Sequence, residues 1–84
     1  MRVTDEKLKE IMSQRIRILL AKENKKQVWL SKQIGTDSNR IIKCNILPSL
    51  VTTIKIANAF DVPVDYIIGK LPIDYCFKEC ENNG

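Results

Sequence analysis

The amino-acid sequence predicts an all-α protein of five short helices packed as one compact unit. Apolar residues recur at three- and four-residue steps along most of the chain, and no segment shows the alternation typical of a strand. At 84 residues the chain forms one domain at most. Isolated helices this short are marginal in water, so a shared core of Leu, Ile and Val must hold them together.

The first predicted helix runs from Thr4 to about Glu23. Thr4 or Asp5 can cap its start, and the acidic residues Asp5 and Glu6 suit the positive end of the helix dipole. A single apolar stripe predicts the buried face, and its members are Leu8, Ile11, Met12, Ile16, Leu19 and Leu20.

A second and a third short helix flank a single glycine. The second spans 27–34, with Leu30 and Ile34 facing inward, and Gly35 can end it in the left-handed conformation without a Cβ penalty. The third starts at about Asp37, a competent N-cap, and runs to about residue 44, with Ile41 as its clearest inward residue.

The fourth helix is predicted after Pro48, which ends the preceding loop, and Ser49 can cap it. It spans 50–60, and its residues at helical spacing are Leu50, Ile54, Ala57 and Phe60. A fifth helix begins near Pro63, runs to residue 68 and is closed by Gly69. Residues 1–69 therefore form the predicted helical domain, and residues 70–84 form a tail.

The distribution of charge along the chain favours a polyanionic partner, above all a nucleic acid. Residues 1–43 hold 11 Lys and Arg against 5 Asp and Glu, a net of +6, whereas residues 44–84 hold 3 against 5, a net of −2; together they give the +4 of the whole chain. No apolar run approaches the roughly 20 residues of a membrane span, and the charged N-terminus argues against a secretory signal. We therefore expect a cytoplasmic protein without a membrane partner.

Enzyme classes are not favoured. The chain has no histidine, no glycine-rich phosphate loop and no paired nucleophile and base, so neither catalysis nor a small-molecule substrate is expected. The three cysteines, Cys44, Cys76 and Cys80, would leave the fourth position of a zinc site to an Asp, a water or a partner, because the chain has no histidine, and free thiols in a reducing cytosol are the expected state. No cofactor is predicted, and metal or redox sensing through these thiols is a minor alternative.

A helix, a tight turn and a second helix with polar residues at its start form the helix-turn-helix arrangement, in which the second helix enters the DNA major groove. The segments RIRILLAKENKKQVWLSKQIGTDSNRIIK and PSLVTTIKIANAFDVPVDYIIG resemble the lambda-repressor/Cro type of helix-turn-helix protein, also called the XRE family, over residues 15–69. The resemblance implies a compact five-helix lambda-repressor-like domain that binds double-stranded DNA as a dimer and regulates transcription.

The resemblance also implies roles for individual residues. The groove-facing positions of the third helix, which would contact bases, are Ser38, Asn39 and Lys43. The residues implied as phosphate contacts are Gln27, Arg15, Arg17, Lys25, Lys26, Arg40 and Asn45. Simpler structural explanations stay open: Arg40 can pair with Asp37, Lys25 and Lys26 can form a soluble turn, and Trp29 and Ile42 can pack.

Two departures from the family pattern concern helix ends. Between Ile41 and Pro48 the chain is about three residues shorter than is usual and lacks the usual glycine, so the third helix ends early or the loop after it is tight. Asp61 stands where a glycine often ends the fourth helix, and Asp tolerates the left-handed conformation better than most residues.

The tail predicts a homodimer through the fifth helix and residues 70–84. The apolar residues of this region are Val64, Ile67, Ile68, Leu71, Ile73, Tyr75 and Phe77. The alternative is that the tail folds back over its own core. For function, the leading hypothesis is a sequence-specific regulator of phage or bacterial repressor type, and the alternative is a protein-interaction module on the same fold, such as an antitoxin or an anti-repressor.

Overall fold

A computed structural model describes residues 4–75 of the chain. It contains the five helices α1 (Asp5–Lys22), α2 (Gln27–Ile34), α3 (Ser38–Ile42), α4 (Leu50–Phe60) and α5 (Val64–Ile67), and no strand within that range. The all-α prediction is therefore confirmed. The body measures 38 × 34 × 21 Å along its principal axes. Among the described helices, none is both long enough and apolar enough to cross a bilayer.

Side-chain caps begin three of the helices. Thr4 accepts from the backbone N–H of Lys7 at 3.1 Å, so it, rather than Asp5, caps α1. Asp37 caps α3 and Ser49 caps α4, both as predicted. No side chain caps α2, which follows Lys26.

Each helix is followed closely by a residue in the left-handed conformation, and these five are Asn24, Gly35, Cys44, Asp61 and Gly69. After four of them the next backbone N–H bonds back to a carbonyl five residues earlier, which satisfies the exposed carbonyls of the helix end. The Asn45 N–H, for example, donates to the Arg40 carbonyl at 2.9 Å. Thus α3 ends at Ile42, earlier than predicted, and Cys44 occupies the left-handed position of the tight turn that follows.

The core lies between α1 and the other four helices. α1 packs against α3 and α5, α2 packs against α3 and α4, and α4 also contacts α5. The buried apolar residues are Met12, Ile16, Leu19, Leu20, Leu30, Ile34, Ile41, Ile56, Ala57, Phe60, Tyr66 and Ile67. Most of the predicted α1 stripe and the inward residues of α2 and α3 belong to this set.

The predicted inward face of α4 is wrong in part. Leu50 and Ile54 are exposed, and the packed face consists of Thr53, Ile56, Ala57 and Phe60. Thr53 is tolerated inside because its hydroxyl donates to the Ser49 carbonyl at 2.8 Å.

The described part of the tail folds back over the helices. The Arg15 Nη1 donates to the Leu71 carbonyl at 2.6 Å and to the Tyr66 carbonyl at 3.3 Å, and the guanidinium lies 4.8 Å from the Tyr66 ring centroid. The Tyr66 hydroxyl in turn donates to the Ile73 carbonyl at 2.9 Å. Leu71 and Tyr75 pack against the core. Phe77, Cys76 and Cys80 lie outside the described residues.

Candidate nucleic-acid interface

The candidate site is built on α2, Gly35 and α3. Gly35 ends α2 with φ 73° and ψ 17°, and its N–H donates to the Ser31 carbonyl at 2.9 Å. An added Cβ would meet nothing within 4 Å, so the backbone conformation, and not a lack of space, favours glycine here.

The hydroxyls of a buried and a half-buried serine join α2 to α3. The Ser38 hydroxyl donates to the Gln27 carbonyl at 2.8 Å, and the Ser38 N–H donates to Ser31 Oγ at 2.9 Å. The two serine oxygens are also 2.8 Å apart. We call these three residues the serine brace. It joins the start of α3 to the start of α2, and so fixes how the two helices cross.

The opposite end of α3 is held by α1. The hydroxyl of Ser13, which is fully buried, donates to the carbonyl of Ile42, the last residue of α3. Next to it, the Cys44 thiol donates weakly to the Lys9 carbonyl at 3.7 Å. Both ends of this five-residue helix are hydrogen-bonded to neighbouring helices. The backbone that carries its outer side chains is therefore held in place.

The outer side of α3 and of the turn after it is polar. With Ser38 and Ile41 buried, the helical repeat turns Asn39 and Arg40 away from the core. Asn39 is half-buried, whereas Arg40, Lys43 and Asn45 are exposed. Backbone bonds from Lys43 to Asn39 and from Asn45 to Arg40, both 2.9 Å, hold these four residues together. We call Asn39, Arg40, Lys43 and Asn45 the α3 polar face.

Positive charge is concentrated around this face. Residues 25–45 hold five Lys and Arg, all exposed, and Asp37 as the only acid. In residues 46–75, by contrast, two lysines stand against three aspartates. Within residues 4–75, the segment of α2, α3 and the loops beside them therefore carries the highest net positive charge.

Two of the sequence-predicted contacts are wrong. Ser38 is fully buried with its hydroxyl used in the serine brace, so it does not reach a base edge. Arg15 is 8% exposed, and its guanidinium points at the Tyr66 and Leu71 carbonyls, so it does not reach a phosphate. Its Nε has no hydrogen-bond partner.

The other predicted phosphate contacts are accessible. Gln27, Lys25, Lys26 and Arg17 are exposed, and the Lys25 Nζ lies 5.3 Å from the ring centroid of Trp29. Trp29 itself packs on Phe60, with ring centroids 5.6 Å apart. Ile42 also packs against the core.

The structure does not contain the Arg40–Asp37 ion pair that was the alternative explanation for Arg40. In residues 4–75 the only ion pair is Lys9 with Glu6 at 3.4 Å, so Arg40 is not paired with Asp37. The Asp37 carboxylate accepts from the Asn39 N–H at 3.0 Å instead. Arg40 is therefore available to an outside ligand.

Sequence reasoning missed the hydroxyls that hold α3. Ser13 and Ser31 carry no sequence signal beyond their position: Ser13 follows Met12 in the apolar stripe of α1, and Ser31 lies seven residues before Ser38. It also missed an exposed apolar stretch at the start of α4.

The chain matches no protein-family model, no curated protein and no solved structure. Its function is therefore argued from the geometry of this site. Within the described range, no three Cys, Asp or Glu side chains come close enough to hold a metal ion.

Proposed function

We propose that this chain is a sequence-specific, DNA-binding transcriptional regulator of the lambda-repressor/Cro type, acting as a homodimer. One observation carries the proposal. The serine brace sets α2 and α3 at a fixed crossing, and the α3 polar face, of which Arg40, Lys43 and Asn45 are exposed, lies in the most basic segment of residues 4–75. This is the arrangement that a helix-turn-helix needs in order to enter a groove.

Base reading is assigned to the α3 polar face. An amide such as that of Asn39 can donate to and accept from adenine N6 and N7 at once, which gives a preference for that base. Lys43 can donate to the O6 and N7 acceptors of guanine. With Ser38 removed from the predicted set, Asn39 and Lys43 remain as the base-contacting residues, and Arg40 adds a long, exposed donor beside them.

Register on the duplex is assigned to cationic and amide side chains beside α2 and α3. Lys25, Lys26 and Gln27 lie at and before the start of α2, and Asn45 lies just after α3. Contacts from these residues to phosphates position the domain without reading sequence. They also make affinity depend on salt, because each neutralised phosphate releases counterions.

The test is selection of bound duplexes from a random DNA pool, followed by affinity measurements on the selected site. We expect a short motif with two-fold symmetry. Asn39→Ala should lose about 5–150-fold of the preference at one base pair in each half-site. Gln33→Ala is the matched control, because it removes an exposed amide of α2 outside the serine brace. A pool that stays flat would contradict the proposal.

A second candidate is a protein-interaction module on the same fold, such as an antitoxin or an anti-repressor. The exposed apolar residues at the start of α4 favour it, because such side chains often mark protein contacts. A flat selection, together with a stoichiometric protein partner that Leu50→Ser releases, would favour this candidate over DNA reading.

A further inference from the structure

One lysine of the candidate interface lies on an aromatic ring. The Nζ of Lys25 is 5.3 Å from the centroid of the Trp29 ring. An ammonium within about 6 Å of a ring centroid is attracted to the ring face, and tryptophan attracts it most strongly. Lys26, the next residue, is also exposed, but within residues 4–75 it lies over no ring. The two adjacent lysines carry the same charge, and only the first has its ammonium held in place.

The indole under Lys25 is itself held by the core. Trp29 is half-buried on α2 and packs on Phe60 of α4, with ring centroids 5.6 Å apart and ring planes inclined by 56°. Leu30, the next residue of α2, is fully buried. The packing of α2 on α4 therefore sets the position of the ring.

The backbone of Lys25 is fixed as well. Its N–H donates to the Leu20 carbonyl at 2.9 Å, which closes the end of α1 after the left-handed residue Asn24. The flexible four-carbon stem of the lysine is thus held at both ends, by the backbone bond and by the ring.

The charge of Lys25 stays available to an outside ligand. Lys9 with Glu6 is the only ion pair in residues 4–75, so Glu23, the acid nearest to Lys25 in the sequence, does not neutralise it. An ammonium has three N–H donors, and those that point away from the ring can donate to another acceptor.

Lys25 lies beside the surface assigned to DNA. It precedes Gln27, the first residue of α2, by two positions, and the Gln27 carbonyl accepts from the hydroxyl of Ser38 at the start of α3. The serine brace therefore brings the start of α3 next to the loop that carries Lys25. A cation at this place can contact a phosphate of the duplex while α3 lies in the groove.

We infer that Trp29 is a positioning residue, which holds the Lys25 ammonium ready for a DNA phosphate and stays beneath it in the complex. The inference rests on the proposed function. A free lysine side chain loses rotamer entropy when a ligand immobilises it, and a side chain already held in its bound position loses less. The ring should therefore raise affinity through Lys25, without contacting a base.

The experiment is a double-mutant cycle on duplex affinity, with Trp29→Leu, Lys25→Met and their combination. Leucine keeps apolar bulk against Phe60 but offers no π face. Lys26→Met, alone and combined with Trp29→Leu, is the matched control, and circular dichroism checks that each variant folds.

Coupling is expected between Trp29 and Lys25 only. Lys25→Met should lower affinity and reduce the slope of log affinity against log salt by about 0.9. Trp29→Leu should lower affinity about 2–5-fold in the wild-type and Lys26→Met backgrounds, and should have no effect once Lys25 is Met. A loss of equal size in all three backgrounds would overturn the positioning role, because the substitution would then act on the fold and not on the lysine.

A second duplex separates this inference from the proposed function. Phosphate contacts do not read sequence, so the cycle is measured on the selected duplex and on an unrelated one. If selection finds no preferred sequence and the coupling is still present, the sequence-specific function fails and the positioning role stands. If a motif is selected and no coupling is found, the function stands and the positioning role is overturned.

Tryptophan emission gives a test that leaves Trp29 in place, and this residue is the single tryptophan of the chain. Lys25→Met should change the emission of the free protein because it removes the ammonium from the ring, whereas Lys26→Met should leave it as in wild type. With duplex bound, wild type should remain distinct from Lys25→Met. If the two bound proteins emit alike, the ammonium has left the ring and the inference is overturned.

Discussion

At the scale of single residues, Ser38 shows how a side chain that looks available for recognition can be structural. The resemblance implied a base contact for Ser38, yet it lies on the same side of α3 as Ile41, three residues on. The inward position of Ser38 could have been predicted from Ile41, which was already expected to face the core.

We predict that Ser38→Ala lowers the free energy of unfolding by about 1–2 kcal/mol, because it deprives the Gln27 carbonyl and Ser31 Oγ of a buried hydroxyl partner. Urea denaturation measures this. Arg40→Ala, at an exposed neighbouring position, is the control and should change stability by less than about 0.5 kcal/mol. Equal stabilities of the two variants would show that the serine brace does not hold α2 and α3.

Gly69 gives a second residue-level prediction. A Cβ there would lie 2.7 Å from Ile11 Cγ2, and φ is 89°, so Gly69→Ala meets both strain and a clash. We expect a loss of about 2–3 kcal/mol in thermal or urea unfolding, against about 1 kcal/mol for Gly35→Ala, which meets strain alone. Ile11→Leu removes the clashing Cγ2 and should recover part of the Gly69→Ala loss. No recovery would mean that the backbone conformation accounts for the whole effect.

At the scale of helices, the left-handed residues that follow the helices are not all glycine, as they would be in an idealised helical protein. Three of the five left-handed positions are occupied by Asn24, Cys44 and Asp61, where glycine would carry no Cβ penalty. Asn and Asp are the side chains that tolerate this conformation best, whereas a thiol offers no comparable local hydrogen bond. Cys44 is therefore the most strained of the three.

We predict that Cys44→Gly raises the free energy of unfolding by about 0.5–1 kcal/mol, more than Asn24→Gly or Asp61→Gly. The gain comes from relief of the backbone at φ 64°. Melting temperatures under reducing conditions measure it. If Cys44→Gly instead lowered stability, the contact of its thiol with the Lys9 carbonyl would outweigh the strain.

The existence of the five helices and most of their limits could be predicted, but the end of α3 and the orientation of α4 could not. The bounds of α2 and α4 agree with the prediction because Gly35, Ser49 and Asp61 are local signals that act within a few residues. Orientation is different: α4 carries aliphatic residues on both sides, Leu50 and Ile54 on one and Ile56 on the other. Only the helices packed against it decide which side is buried.

At the scale of the whole molecule, burial decides which of the basic residues can contact DNA. Of the residues predicted from the sequence, the exposed cations around α2 and α3 remain candidates, and Arg15 does not. The sequence places Arg15 and Arg17 two residues apart on α1 and cannot distinguish them. Tertiary packing distinguishes them, because only Arg15 lies against α5 and residue 71.

We predict that Lys43→Met relaxes one base preference of the selected duplex and changes the slope of log affinity against log salt by much less than the about 0.9 of a lost phosphate contact. Arg15→Met should leave both the slope and the base preferences as in wild type, and should lower stability because the Leu71 and Tyr66 carbonyls lose their bonds to the guanidinium. Fluorescence anisotropy at several salt concentrations measures both. A reduced slope for Arg15→Met in a folded sample would return this residue to the DNA interface.

The bond from Arg15 to the Leu71 carbonyl also determines where the chain can be joined to another protein. A fusion partner or tag placed directly after Gly69 would replace Leu71, whose side chain packs on the core, so the backbone carbonyl at this position would no longer be held beside the Arg15 guanidinium. A junction beyond Tyr75 keeps the Arg15 and Tyr66 bonds to this segment intact. Reporter fusions and truncations are therefore expected to express as folded protein only when they retain these last few packed residues.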